Sequence, residues 1–468
     1  MATLIEQYPI YTTIPVGQEI IFSVSNSGQL QNLYNAKFIA KVFISNEPIV
    51  IGVTPLVGTF KTTPNAVGIG MFDFSPIVES FVNADNLGAT NSEYKNISIT
   101  DGKIPLHLIN KFSTNDNTLR YLAIQFDIEG TTTPNGNVSP LGETKNSVTY
   151  TLLNGYLKHT DSLSLVLGNF GYYLGAFDMN SLGGRFLTNA PTTQYANIED
   201  YGTLSFMATP TTSVPVDTTV DDLYIRYYNS SGASIATEHI DNRIVNGGFD
   251  AWDSKVKNQL LHIGCFPANL RNFSTIMAAA MAADLSFYTI ELRNYANVVI
   301  SETVTININC PTLKGFEPIR LTWLNQWGAW DYYTFNMKST KSISTKGSTY
   351  QQMEGTWNES RYQVNGYKGG KKAFRVNATE KITMNTDFVN ESESEWFEEL
   401  INSPEVYILE GFQDDLIFSG VNLSALNQYV TPVRLTTSNF TKKTVANDKL
   451  MQYTFEVEKS KTLRTQAV

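Results

Sequence analysis

Phe38-Ile39-Ala40-Lys41-Val42-Phe43-Ile44-Ser45 is the stretch that decides the fold class. Read with a period of two, Phe38, Ala40, Val42 and Ile44 face one way. Ile39, Lys41, Phe43 and Ser45 face the other. Both sides are largely apolar, so the pattern predicts a central strand with little exposed surface. The same period returns at 120–128, where Leu122, Ile124, Phe126 and Ile128 alternate with Ala123, Gln125 and Asp127. That alternation predicts a half-buried strand with one wet face. Val304, Ile306, Ile308 and Cys310 alternate with Thr305, Asn307 and Asn309, and Met451, Tyr453, Phe455 and Val457 alternate with Gln452, Thr454, Glu456 and Glu458. A strand period that recurs from one end of the chain to the other makes the protein mainly β. The expected architecture is a multidomain one of β-sandwiches or barrels with a few short packed helices.

Turn chemistry agrees. Asn229-Ser230-Ser231-Gly232 lies between two strand-like runs, Leu223–Tyr228 and Ser234–Ile240, and reads as a hairpin. Thr131–Pro140, Thr209–Val216 and the stretch from Cys310-Pro311 to Pro318 read as loops or boundaries. From these come three expected domains: an N-terminal β domain over 1–135, a middle β-rich domain with short helices over 136–312, and a C-terminal β domain over 313–468 with an aromatic hairpin and one helix. Three helices are expected. Ser75 is read as an N-cap with Pro76 at the first helical position. Ser392 and Glu395 have capping-box spacing ahead of an apolar face of Trp396, Phe397, Leu400 and Ile401, closed by Ser403-Pro404. The alanine-rich run from about Phe273 to Leu285 supplies the third.

Composition narrows the function classes. The 468 residues are 42% hydrophobic but only 17% charged, against a usual ~25%. Charge is replaced by Asn, Thr, Ser and Gly, which suits turns, strands and surfaces buried against other subunits. The net charge of −10 lacks the basic field of a duplex-binding protein, so sequence-specific nucleic-acid reading is not expected. Lys368-Gly-Gly-Lys-Lys372 is basic but short, and reads as a solvated hairpin turn or an anion contact. No basic-then-apolar leader opens the chain, and the small-apolar run Met277–Ala283 is too short to span a bilayer. Synthesis and folding in a cytoplasm without a membrane span are therefore expected.

Chemistry-bearing patterns are missing. There is no Gly-x-Ser-x-Gly, His-Glu-x-x-His, Walker lysine loop or Cys-x-x-Cys. Cys265 and Cys310 are expected to be buried apolar residues, and His107, His159, His239 and His262 to be isolated structural or surface residues. The acid pairs Asp221-Asp222, Glu398-Glu399 and Asp414-Asp415 read as solvated turns and a helix face; a glycosidase would need two carboxyls spanning a cleft. The expectation is no enzyme, no cofactor and no metal.

The most unusual segment is 320–335, which holds Trp323, Trp327 and Trp330, three of the chain's six tryptophans, with Tyr332 and Tyr333. It reads as two strands joined at Gln326–Gly328. Large rings at this density suit a domain core, a subunit interface or a ligand platform. Trp323, Trp327, Trp330, Tyr332 and Tyr333 are the candidate interface residues.

Taken as a set, several strings resemble structural proteins of short-tailed phages of the crAss-like type and related viruses. These are Phe38–Ser45, Gly58-Thr59-Phe60-Lys61 leading to Pro64-Asn65, and Phe72-Asp73-Phe74 before the short helix. They also include the 320–335 segment, Ser403–Leu409, Pro432–Leu435 and Lys449–Val457. The resemblance touches the first eighty residues and the last hundred and fifty. It implies a virion protein assembled in the host cytoplasm: a tail or neck component forming a homo-oligomeric ring around the DNA channel. Such a protein docks other virion proteins and touches passing DNA only passively. The alternatives are a tail fibre or glycan-binding receptor protein, a capsid decoration protein, and a polysaccharide-degrading tail enzyme.

Overall fold

The computed structural model describes residues 3–88, 105–109, 112–114, 117–157, 177, 179, 183–208, 220–241, 243–244, 249–250, 259–271, 274–294, 296–309, 315–356, 359–410, 429–437, 439–441 and 451–464. The protein is mainly β, with several antiparallel, sandwich-like layers and short helices. Its described residues fall into two compact units. The first holds the chain up to Asn309 together with Leu324–Tyr332; the second holds Tyr333–Glu410 and the neighbouring strands on either side of it.

The first unit opens with a sandwich. One layer is the sheet Leu4–Gln7, Ile21–Ser25, Ile69–Asp73. The other is built on Tyr34–Ser45, which pairs Leu56–Thr62 on one edge and Leu119–Thr131 on the other. Tyr34–Ser45 is thus the central strand its two apolar faces require. Phe38, Ala40, Val42 and Ile44 point into the sandwich core with Phe22, Val24, Phe72, Leu122, Ile124, Phe126 and Ile128. Each Val, Leu, Ile or Phe side chain among them contributes ~1.5–3 kcal/mol on burial. Phe22 lies 5.6 Å from Phe126 and 5.8 Å from both Phe74 and Tyr150, so aromatic edges fix the layer spacing.

The wet face expected at 120–128 is only partly wet, with Gln125 half-buried. Ala123, Asp127 and Glu129 are all buried. Phe43 stands opposite Ala123 and Ile39 opposite Asp127, so apolar cross-strand neighbours shield that face. Lys61 Nζ meets Glu129 at 2.6 Å, which pairs the buried acid. Two sheets cross residue 135. Tyr150–Leu153 pairs with Leu119–Thr131, and Phe112–Thr114 pairs with Gln259–Gly264. The unit also contains the sheet Thr193–Ala196, Val304–Ile308, Leu285–Asn294, Val220–Asn229, Ser234–Asp241. Its last two strands form the expected hairpin, where Asn229 Oδ1 accepts from Ser231 and Ala233 backbone N–H and Gly232 takes φ +77°.

The second unit is one long antiparallel sheet. From Ile319–Leu324 its order runs through Val406–Leu409, Val430–Leu435, Thr454–Lys459 and Gly370–Asn385 to the edge strand Thr340–Gln352. The helix Glu391–Asn402 lies on it through Trp396, Phe397 and Leu400. Phe397 is 4.9 Å from Tyr333 and 5.4 Å from Phe455.

Helix starts differ from the expected ones. The capping box is Asn390 with Glu393, two residues before Ser392 and Glu395. Ser75 is inside its helix, Ser75–Val78, and its Oγ accepts from Ile20 N–H at 2.8 Å instead of capping. The alanine-rich helix is Thr275–Ala282, capped by Ser274. It stops early because Asp284 takes φ +65° and Leu285 begins a strand.

Candidate functional site

The aromatic segment forms the expected hairpin, Ile319–Leu324 and Trp330–Phe335, and its turn is specified by Asn325. Asn325 Oδ1 accepts from Trp327 and Ala329 N–H, both at 3.0 Å. Gly328 takes φ +73°, and a Cβ there would lie 2.1 Å from the Asn154 carbonyl oxygen. Of the five candidate interface residues, Trp323, Trp327, Trp330 and Tyr332 are buried and Tyr333 is half-buried. Within the first unit, Trp327 packs 4.4 Å from Phe177 in a cluster with Leu119, Leu153, Leu187, Met207 and Leu260. Trp330 donates from Nε1 to the Asp85 carbonyl, and Tyr332 Oη bonds His107 Nδ1 at 2.9 Å and Thr203 Oγ1 at 2.8 Å. Within the second unit, Trp323 is 0% exposed and 4.9 Å from Trp396. Trp323, Trp327, Trp330 and Tyr332 are core residues, and Tyr333 keeps part of its surface.

A Ser-His-Asp constellation, invisible in the sequence, lies in the first unit. Ser205 Oγ is 2.7 Å from His262 Nδ1, and His262 Nε2 is 3.9 Å from Asp85 Oδ2. Ser205 and His262 face each other directly across the pair Thr203–Ala208 and Gln259–Gly264. Burial pushes the Asp85 carboxyl up, but His262 beside it and donors on Thr118 and Asn117 outweigh that and hold it below the usual carboxylate range. The geometry is not that of an activated nucleophile. A base needs its orienting carboxylate at hydrogen-bond distance, and 3.9 Å is too long. All three side chains are buried, so Ser205 Oγ cannot meet a substrate carbonyl. Nearby His107 is also buried, and burial followed by the influence of His262 lowers its pKa to about 3. These groups form a polar seam inside the sheets.

The remaining candidates are structural or lie outside the described residues. Asp222 hydrogen-bonds His239 across the hairpin. Glu398 and Glu399 lie on the Glu391–Asn402 helix. Cys265 is buried. Cys310, His159 and Asp414-Asp415 lie outside the described residues. Among the described residues no group of three His, Cys, Asp or Glu side chains is placed to hold a metal, and no helix is long and apolar enough to cross a membrane.

A feature of a different kind is a two-stranded ribbon in the second unit. Thr340–Gln352 and Gly370–Asn385 pair over thirteen register positions. The next strand, Thr454–Lys459, pairs with Lys381–Asn385, and Leu463 beyond it makes one further bridge to Ala378. Beyond that base, Thr340–Gln351 is exposed at every residue, yet the ribbon carries Ile343 at 66%, Phe374 at 58% and Val376 at 45% exposure. Lys368–Lys372 closes the connecting loop onto the second strand, with Gly369 and Gly370 at φ +92° and +76° and Lys372 Nζ donating to the Tyr367 carbonyl at 2.7 Å. A two-stranded stretch has little stability of its own in water, and Ile343, Phe374 and Val376 stand exposed along it.

No family model matches the sequence, and no curated protein matches it. Among solved structures, the chain is similar to native Escherichia coli alpha-2-macroglobulin at 9% identity and a TM-score of 0.18, over 82% of this chain and 22% of that one. It is similar to Salmonella alpha-2-macroglobulin reacted with methylamine at 8% and 0.19, over 97% and 23%. It is similar to the Bacillus anthracis TIE protein at 7% and 0.11, over 83% and 70%. The chain spans 22% to 31% of the macroglobulins it matches, and TM-scores this low carry no argument about fold or function.

Proposed function

We propose that this chain is a non-enzymatic structural protein of a phage virion, a tail or neck component that self-assembles into a ring and docks neighbouring virion proteins. The observation that carries the reading is the exposed ribbon: a β-rich body that spends its large rings on its own core and leaves a long apolar-bearing hairpin uncovered is built to join something larger. Low charge density fits large interfaces, where desolvating charge is costly. A net charge of −10 suits a wall that lets DNA pass without gripping it. The resemblance of both ends of the chain to crAss-like virion proteins supplies the setting.

Negative-stain electron microscopy of the purified chain over a range of concentrations, with its solution mass, tests this. Closed rings are expected. Elongated trimers that bind host glycans would overturn the ring and favour a receptor-binding fibre.

A further inference from the structure

The ribbon's charge is opposite to that of the rest of the chain. Residues 340–385 hold eight Lys/Arg and three Asp/Glu, a net +5. The other residues hold 26 and 41, a net −15, which restores the overall −10. The ribbon's two faces also differ. Register places Ile343, Gly347 and Val376 on one face with Lys341 and Glu380, followed by Lys371 opposite Gln351; Lys341 pairs with Glu317 and Glu380 with Lys459. Lys346 and Arg375 point the other way. A strand of 13 residues is ~44 Å long at ~3.4 Å per residue, and two strands are ~10 Å wide, so each face offers ~440 Å² and both offer ~900 Å². One face is thus about half of the ~800 Å² that one partner contributes to a standard-sized interface.

The chain itself carries a face of matching chemistry. On the outer side of the Leu4–Gln7, Ile21–Ser25, Ile69–Asp73 sheet, Leu4 and Met71 are exposed large apolar side chains. Register puts Leu4 beside Ser25 and Met71 beside Ser23, with Asp73 two residues beyond Met71 on the same face. Glu6 joins them through the hydrogen bond it accepts from Ser25 Oγ. Glu6 and Asp73 are both exposed. Glu6 and Asp73 beside these apolar side chains are of opposite charge to Lys371 on the Ile343/Val376 face.

We propose that the ribbon of one copy seats its Ile343/Val376 face on the Leu4/Met71 face of a second copy, with Lys371 meeting Glu6 and Asp73. This deepens the ring reading and rests only on its self-assembly half. The two surfaces are different patches of the same chain, so the contact is head-to-tail, the kind that closes into rings when the rotation permits. DNA would satisfy the lysines but leave Ile343, Phe374 and Val376 uncovered, whereas a second copy answers both.

Sedimentation of the full-length chain over a wide concentration range tests the proposal. The wild type is expected to self-associate. Ile343→Ser with Val376→Ser is expected to keep the melting temperature and raise the dissociation constant at least about tenfold. Lys371→Glu and Glu6→Lys are each expected to weaken association, and their combination in one chain to restore it. Phe374→Cys with Met71→Cys is expected to cross-link between copies under mild oxidation. Unchanged association of the Ile343/Val376 variant would overturn the proposal while leaving ring assembly through another surface standing. A wild type that stays monomeric throughout would overturn both. Duplex DNA bound by the ribbon without self-association would overturn it and name nucleic acid as the occupant.

Discussion

Replacing Trp323 by alanine removes the largest fully buried side chain of the second unit from beneath the Glu391–Asn402 helix. The indole is 4.9 Å from Trp396 and 6.4 Å from Phe397, two of the rings that hold the helix to the sheet. Its loss combines the transfer free energy of a whole indole with the cavity left behind, about 3–5 kcal/mol. Domain stabilities are about 5–15 kcal/mol, so the variant loses about a fifth or more of the total. At about 3–4 °C per kcal/mol for a domain of this size, the melting temperature should fall by about 10–20 °C. The assay is thermal unfolding of full-length wild type and Trp323→Ala, followed by near-ultraviolet circular dichroism. Phe374→Ala, which alters an exposed ring on the ribbon of the same sheet, serves as the control and should change stability by under about 0.5 kcal/mol. An unchanged melting temperature in Trp323→Ala together with lost self-association would refute the reasoning and return the ring to an interface.

Asn390→Ala should cost about 1 kcal/mol by breaking both arms of the capping box, read as a lower urea midpoint with unchanged slope. Gly328→Ala should destabilise by about 1–3 kcal/mol, because φ +73° is strained for alanine and the new methyl meets the Asn154 carbonyl. His107 gives a pH signature. Its folded pKa is about 3 and its unfolded pKa ~6.5, so between these values the unfolded chain binds a proton the folded chain refuses. Stability therefore falls with pH by about 1.4 kcal/mol per unit over that window, roughly 2 kcal/mol by pH 5. His107→Gln should flatten the slope between pH 7 and pH 5, and an unchanged slope would place the titration elsewhere.

The fold class was legible because the strand period survives in residues whose burial it causes. Phe38, Val42, Ile124, Phe126, Ile306 and Phe455 all point where their alternation requires. Alternation reports which side chains differ, not what covers them, so the polar side of 120–128 read as wet although Phe43 and Ile39 cover Ala123 and Asp127 and leave only Gln125 partly open. Helix starts slipped because Ser, Asn and Asp compete for caps within a few residues, and Asn390 reaches Glu393 better than Ser392 reaches Glu395. The aromatic turn was placed, but aromatic residues serve cores and interfaces alike, and only tertiary burial separates the two. The ribbon was hidden for the opposite reason. Thr340–Gln352 is a Ser/Thr/Lys/Gln run with few apolar residues, and the signal that could have exposed it is a basic segment in an acidic chain. The Ser205, His262 and Asp85 cluster is assembled from distant segments, so no local spacing announces it.

The most direct test of the structural role is to quantify this chain in density-gradient-purified phage particles by mass spectrometry, against a major capsid protein as internal standard. A structural ring component should co-purify at a fixed ratio of several copies per particle that survives repeated banding. A chain found only in the soluble fraction of infected cells, or at a ratio that falls with each gradient, would contradict it.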